Sequence, residues 1–284
     1  MSASSVDATI VDHEVCNPHV KKQDSAGFPE PARVLVWFSR GAASAVAAKV
    51  AVERYGASRD VEVLYCDTSA DEHPDGERFQ ADVERWIERP IKVLRHPKYH
   101  TVEEVWRGEQ YIVGPAGASC SRVLKRELRQ KYQRLEDQHV FGLTYDEAGR
   151  IADLEESHPE LSLIWVLVPG RITKEDCYHV LTANGIALPE MYRLGFNNNN
   201  CRGCCKGGMG YWNKVRVHFP EVFASRAKVQ REIGVGFGSS EQRFYLDELD
   251  PEAGRDVPEP PIECGLFCGH YEKLVEIAAG REVA

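Results

Sequence analysis

Residues 197–216 read NNNNCRGCCKGGMGYWNKVR: three cysteines, four glycines and four cations with no acid, in a chain of 44 acidic and 35 basic residues. The spacing Cys201-x-x-Cys204 suits metal or redox chemistry, and the basic, glycine-rich setting favours an anion nearby. A tetrahedral zinc site and reduced cysteines that merely pack are the generic alternatives. Tyr211 and Trp212 offer faces on which a base could stack, although aromatics in such a run are more often core. Cys66, at the end of an apolar run, and Cys177, in a helical stretch, read as structural.

A second candidate is FSRGAAS, residues 38–44. Gly41 permits a tight turn and Ser39 and Ser44 supply hydroxyls. The free N–H groups at Ala42 and beyond open a helix and attract an anion. Arg40 could bind a phosphate or sulfonate directly. A third is YCDTSADEHPD (65–75), whose Asp67 and Thr68 would meet the base and ribose of a nucleotide; Asp67 capping the following segment is the bland alternative. His13, Cys16 and His19 have metal-like spacing, but in a polar, non-periodic stretch chance spacing is the better reading.

The elements that must position these groups follow from hydrophobic period. Strands are predicted at RVLVWF (33–38), VEVLYC (61–66), IKVLR (91–95), HVFGL (139–143) and LIWVLVP (163–169), and helices at 42–55, 77–88 and 121–135. The last puts Leu124, Leu128, Tyr132 and Leu135 on one face. Strands alternating with helices predict an α/β fold: a twisted, mostly parallel sheet covered on both faces. Ligands then bind beyond the carboxyl ends of the strands. The expected organisation is a flexible tail over 1–32, a nucleotide-binding domain over 33–233 and an irregular C-terminal extension over 234–284 carrying ECGLFCGH and a short closing helix.

The 284 residues suffice for a large core, and a formal charge of −9 argues against a general nucleic-acid coat while leaving room for a local basic groove. The first residues lack the apolar run of a secretory signal and no window reaches the ~20 apolar residues of a membrane span, so the expectation is a cytoplasmic protein. There nine cysteines are expected as ligands, catalytic thiols or buried hydrophobes rather than disulfides.

In order, VLVWFSRGAAS, LYCDTSADEHPDGERF, FGLTYDEAGR and PEMYRLGFNNNNCRGCCKGG resemble the PP-loop adenine-nucleotide hydrolase-like superfamily, and within it the phosphoadenylylsulfate (PAPS) and adenylylsulfate reductases. Pro189, Tyr192, Gly195, Phe196, Cys201 and Cys204 match that family's segment leading into Cys-x-x-Cys, and the likeness spans roughly residues 33 to 270. It implies phosphate binding by Ser39, Arg40, Gly41, Ala42 and Ser44, and adenosine beside Asp67 and Thr68. The family's iron–sulfur members carry a Cys-Cys pair upstream, reduced here to Ser119-Cys120. The resemblance thus implies a [4Fe-4S] cluster, with zinc as the alternative, on Cys120, Cys201, Cys204 and a fourth ligand drawn from Cys205, Cys264 or Cys268. Arg202, Lys206, Lys214 and Arg216, with Arg122, Lys125 and Arg126, could neutralise such a cluster and an anionic substrate.

Two departures bear on the reaction. Ala43 stands where ATP-splitting relatives carry an Asp, which counts against adenylation. ECGLFCGH matches the reductases' Glu-Cys-Gly-Leu-His except for an inserted Phe-Cys-Gly, so Cys264 is either nucleophile or ligand. The resemblance implies a sulfonucleotide reductase: Cys264 attacks the substrate sulfur and a thioredoxin-like donor releases sulfite. The alternatives are an iron–sulfur enzyme transferring sulfur to tRNA or DNA, and a catalytically silent nucleotide-binding protein with a structural metal.

Overall fold

The computed structural model describes residues 33–114, 117–238, 243–255, Val257 and Ile262. The tail, Cys264, Cys268 and the expected closing helix lie outside the described residues. Five strands form one parallel sheet: β1 (Arg33–Phe38), β2 (Asp60–Cys66), β3 (Ile91–Leu94), β4 (Gln138–Phe141) and β5 (Ser162–Ile164), in the order β3-β2-β1-β4-β5.

All six residues of β1 are buried, as expected for a strand covered on both faces. Its alternation sends Val34, Val36 and Phe38 to one core and Leu35 and Trp37 to another. On the first face lie α1 (Ala42–Tyr55), α2 (Asp75–Ile87) and α6 (Lys174–Ala183). Five alanines of α1 are buried, and their small side chains let the helix lie close on the strands. On the second face Leu128 and Leu154 come from α4 (119–132) and α5 (Ala148–Ser157).

A further core joins α3 (Val102–Glu109), α7 (Met209–His218), α8 (Pro220–Ile233) and the two-stranded hairpin of Phe237–Gly238 with Arg243–Phe244. Phe237, Leu246 and Leu249 are buried in it.

Two expected elements differ. The helix predicted over 121–135 begins earlier, contains a π-helical turn at Arg122–Arg126 and ends at Tyr132. Gln133 is extended and Leu135 is 94% exposed, because the π turn shifts the phase of the apolar face and the chain has left the helix before Leu135. The strand predicted over 163–169 pairs only as far as Ile164; Val166 and Leu167 are buried without ladder partners. A continuous apolar run does not distinguish a paired strand from a buried turn. Among the described residues no helix is long and apolar enough to cross a membrane.

Candidate functional site

The strand order reverses beside β1: the chain runs outward through β2 and β3, then returns to add β4 on the other side. Such a reversal leaves a crevice at the carboxyl ends of the two strands. A cavity of about 350 Å³ lies there, bounded by Trp37, Phe38 and Ser39 from the end of β1 and by Phe141, Gly142 and Leu143 from the end of β4. Its size falls within the range of small-molecule sites.

The N-terminus of α1 opens onto this cavity. Gly41 occupies its N-cap with no side-chain cap, and the first turn holds no acid. Ser44 Oγ accepts from the Ser39 N–H at 3.1 Å and donates to the Gly41 carbonyl at 2.9 Å, which fixes the turn. The Ala42 N–H reaches only the Tyr192 hydroxyl, at 3.4 Å. Gly142 is required: a Cβ there would stand 2.5 Å from Ser44 Cα and 2.6 Å from Ser44 N. Ser39, Gly41, Ala42 and Ser44 share one cavity wall together with Ala43.

Arg40, Asp67 and Thr68 do not line the cavity. Arg40 has a left-handed backbone (φ 57°) that turns its side chain inward. There it donates to Gln80 at 2.9 and 3.0 Å, pairs with Glu72 at 3.3 Å and lies over the Tyr65 ring at 4.2 Å. Thr68 is buried and donates to Glu72 at 2.6 Å. Burial holds the Glu72 carboxyl above its ordinary range, against Lys125, Thr68 and Arg40. Asp67 accepts from Ser69 and pairs with Arg95 at 2.9 Å. Arg40 and Thr68 support the wall from behind, through Tyr65.

Groups absent from the expected set take their place. Lys174 at the start of α6 and Glu147, Arg150 and Asp153 on one face of α5 and the turn before it line the cavity, as do Tyr192 and Asn198–Asn200. The asparagine run tethers three separate segments. Asn197 O and Asn198 Oδ1 hold Lys174 at 2.5 and 2.7 Å, Asn199 Nδ2 donates to the Arg40 carbonyl at 2.7 Å, and Asn200 Nδ2 donates to the Ile262 carbonyl at 3.4 Å. The available signal was four side-chain amides in a row, each both donor and acceptor.

Directly after this run the cysteines come together. Cys201, Cys204 and Cys205 are buried, and Cys120 packs against the same core. Hydrogen bonds with Cys120 and Cys204, then burial, hold the Cys205 thiol well above its ordinary range. Among the described residues, Cys205 joins the expected three; Cys264 and Cys268, the other candidates for a fourth ligand, lie outside them. Among the described residues no three His, Cys, Asp or Glu side chains are positioned to hold a metal ion. Four gathered thiols suit a soft metal or an iron–sulfur cluster in donor chemistry, while ligation needs their sulfurs drawn closer.

The Cys-x-x-Cys turn is held by Tyr211, whose hydroxyl accepts from the N–H groups of Gly203 and Cys204, both at 2.9 Å, and donates to the Cys201 carbonyl at 2.8 Å. Tyr211 and Trp212 are 2% and 0% exposed. Trp212 stacks on Phe237 at 4.9 Å, so neither ring presents a face to a base. The cations are also largely committed. Arg122 pairs with Glu109 and Glu127, Lys214 donates to the Gly195 carbonyl, and Arg216 donates to the Leu249 carbonyl; Lys125 lines the cavity. Cys66 is buried at its edge and Cys177 in the core, and burial pushes both thiols up to about 12.

The loop after β2 joins both regions. Asp71 accepts from Arg226 at 2.5 Å and from the Val102 N–H at 2.7 Å, and its carbonyl accepts from the Arg202 N–H at 2.7 Å. Arg226 also pairs with Glu103.

No protein-family model matches the chain, and no curated protein matches it. Among solved structures it is similar to a phosphoadenylyl-sulfate (PAPS) reductase from Candida auris in a phosphate complex, at 13% identity and TM-score 0.40, covering 61% of this chain and 82% of that one. It is also similar to the U34-tRNA thiolase NcsA from Methanococcus maripaludis with its [4Fe-4S] cluster, at 11% identity and TM-score 0.39, covering 83% of each chain.

Proposed function

We propose that the chain is an oxidoreductase acting on an adenine sulfonucleotide. The observation that carries this reading is the uncapped, acid-free N-terminus of α1 opening onto a crevice at the reversal of strand order. Dipole and free N–H groups there favour a phosphate, and Trp37, Phe38 and Phe141 give the rest of the crevice apolar aromatic surface for a base. Ile262, two residues before Cys264 in the sequence, belongs to the cavity wall. That supports Cys264 as nucleophile.

In this mechanism the Cys264 thiolate forms a bond to the substrate sulfur as the bond from sulfur to the phosphate oxygen breaks, and the adenine nucleotide leaves as its phosphate. Backbone N–H groups of α1 stabilise the charge on that leaving group. A dithiol partner of thioredoxin type then attacks the Cys264 sulfur and expels sulfite. The partner's second thiol resolves the mixed disulfide, so the dithiol is oxidised and supplies the two electrons. Cys120, Cys201, Cys204 and Cys205 would hold a [4Fe-4S] cluster, which would supply a charged, redox-active centre beside the crevice; zinc would supply charge alone. Transfer of sulfur to tRNA or DNA is less well supported, because Tyr211 and Trp212 are core residues.

The test is anaerobic purification with iron and acid-labile sulfide analysis, then calorimetry with adenosine 5′-phosphosulfate and its 3′-phosphorylated form. The expected outcome is a brown protein that binds one of these. Cys264→Ser is expected to keep iron and binding while releasing no sulfite from the sulfonucleotide when dithiol is added. Loss of iron in Cys264→Ser would make that residue a ligand and remove the reductase mechanism.

A further inference from the structure

The hydrogen bonds of Lys174, a cation on the cavity wall, go to neutral groups. An ammonium has three N–H donors. Two are spent on the Asn197 carbonyl at 2.5 Å and on Asn198 Oδ1 at 2.7 Å. The acids that reach it electrostatically, Glu147 and Asp146, form no ion pair with it; Glu147 is committed to Arg150 and to Thr144. The remaining donor belongs to a side chain on the cavity wall.

Its position relative to α1 is fixed through Tyr192. The ammonium lies 5.9 Å from the centre of the Tyr192 ring, and the hydroxyl of that ring takes the Ala42 N–H at 3.4 Å. One side chain therefore spans the distance between the lysine and the opening of the helix. A half-buried cation whose hydrogen bonds go only to neutral oxygens is incompletely compensated, since an opposite charge offsets the loss of water more fully. Burial, the largest influence, lowers its proton affinity from the ordinary lysine value, against Glu147 and Asp146.

We infer that Lys174 is the counter-charge for the bound phosphoryl group, so that the ligand's anionic part bridges from the N-terminus of α1 to the Lys174 ammonium. This rests on the nucleotide reading above and adds a residue specific for the charge of the ligand rather than for its base. A ligand with a linked second anionic group, a diphosphate or phosphosulfate, spans both positive ends and binds more tightly than a monophosphate.

The experiment is calorimetry of adenosine, AMP and ADP with the wild-type chain and with Lys174→Met. AMP and ADP affinities are expected to fall roughly ten- to a hundredfold, the range of one charge-assisted hydrogen bond, while adenosine binding is unchanged. Equal losses for adenosine and AMP would reduce Lys174 to a support for the asparagine run, and unchanged AMP binding would remove it from the site; either overturns the inference. If Lys174→Met does not fold, Lys174→Gln, which keeps a donor but no charge, carries the same comparison. Should the wild-type chain bind no adenine nucleotide, the nucleotide reading fails separately. Inorganic pyrophosphate then tests the lysine directly, with binding expected in wild type, a tenfold or greater loss in the variant, and equal or absent binding counting against it.

Discussion

The serine turn over residues 39–44 and the cysteine turn over residues 201–205 are both short, glycine-bearing loops leading into a helix, yet they are held in different ways. Residues 39–44 are fixed from within by Ser44 to Ser39 and Gly41, and Arg40 is anchored from outside by Gln80, Glu72 and the Asn199 amide. Residues 201–205 depend on Tyr211 in the next helix, on the Asp71 carbonyl and on Cys120. A loop braced both by its own backbone and by buried side chains keeps its shape; one held mainly by neighbouring elements moves with them. The first suits a fixed anion cradle. The second suits a thiol centre whose sulfurs must shift to take a metal.

The largest effect should come from what the two share. Arg226→Ala strips Asp71 and Glu103 of their buried partner, and loss of one member of such a pair typically costs about 3–5 kcal/mol. Urea denaturation reads the loss. Nucleotide binding and the protection of Cys201 and Cys204 from alkylation are expected to fall together, and a fall in only one would mean that the β2 loop does not couple the regions. Gly142→Ala separates them. Its methyl must displace the backbone of Ser44, at about 1–3 kcal/mol, so calorimetry should show weakened nucleotide binding with thiol protection intact.

Tyr211→Phe is the reciprocal break and the smallest of the three. It leaves two N–H groups and a carbonyl of the cysteine turn without their partner, at about 1–2 kcal/mol. Mass spectrometry after brief alkylation should show faster labelling of Cys201 and Cys204 against Cys177 as internal reference, with nucleotide affinity unchanged. Parallel acceleration at Cys177 would indicate general loosening instead.

The sheet and α1 were legible because their signals are local: an unbroken apolar run over 33–38, an alanine-rich helix ending at Tyr55, and a turn with serine and glycine between them. Thr101 with Glu104 and Thr173 with Asp176 spell capping boxes that also mark the starts of α3 and α6, although α3 was not expected and α6 only as the helical stretch around Cys177. The role of Arg40 was not legible, since it is decided by Glu72 and Gln80, 32 and 40 residues away. Leu135 misled because a π turn is not visible in a 3.6-residue period. Cys205 could be counted but not chosen, as its proximity to Cys120 arises only when α4 packs against the segment before α7.

The left-handed backbone at Arg40 has a bearing on how quickly a ligand is captured. A non-glycine residue held at φ 57° stores strain of about 1–3 kcal/mol, and the inward guanidinium, clasped by Glu72, Gln80 and Tyr65, keeps that strain from relaxing. The cradle is thus shaped during folding and not at each encounter. An anion bound as proposed would then meet no ordering cost in the turn, and its association would be governed by diffusion and orientation instead of by a slow rearrangement.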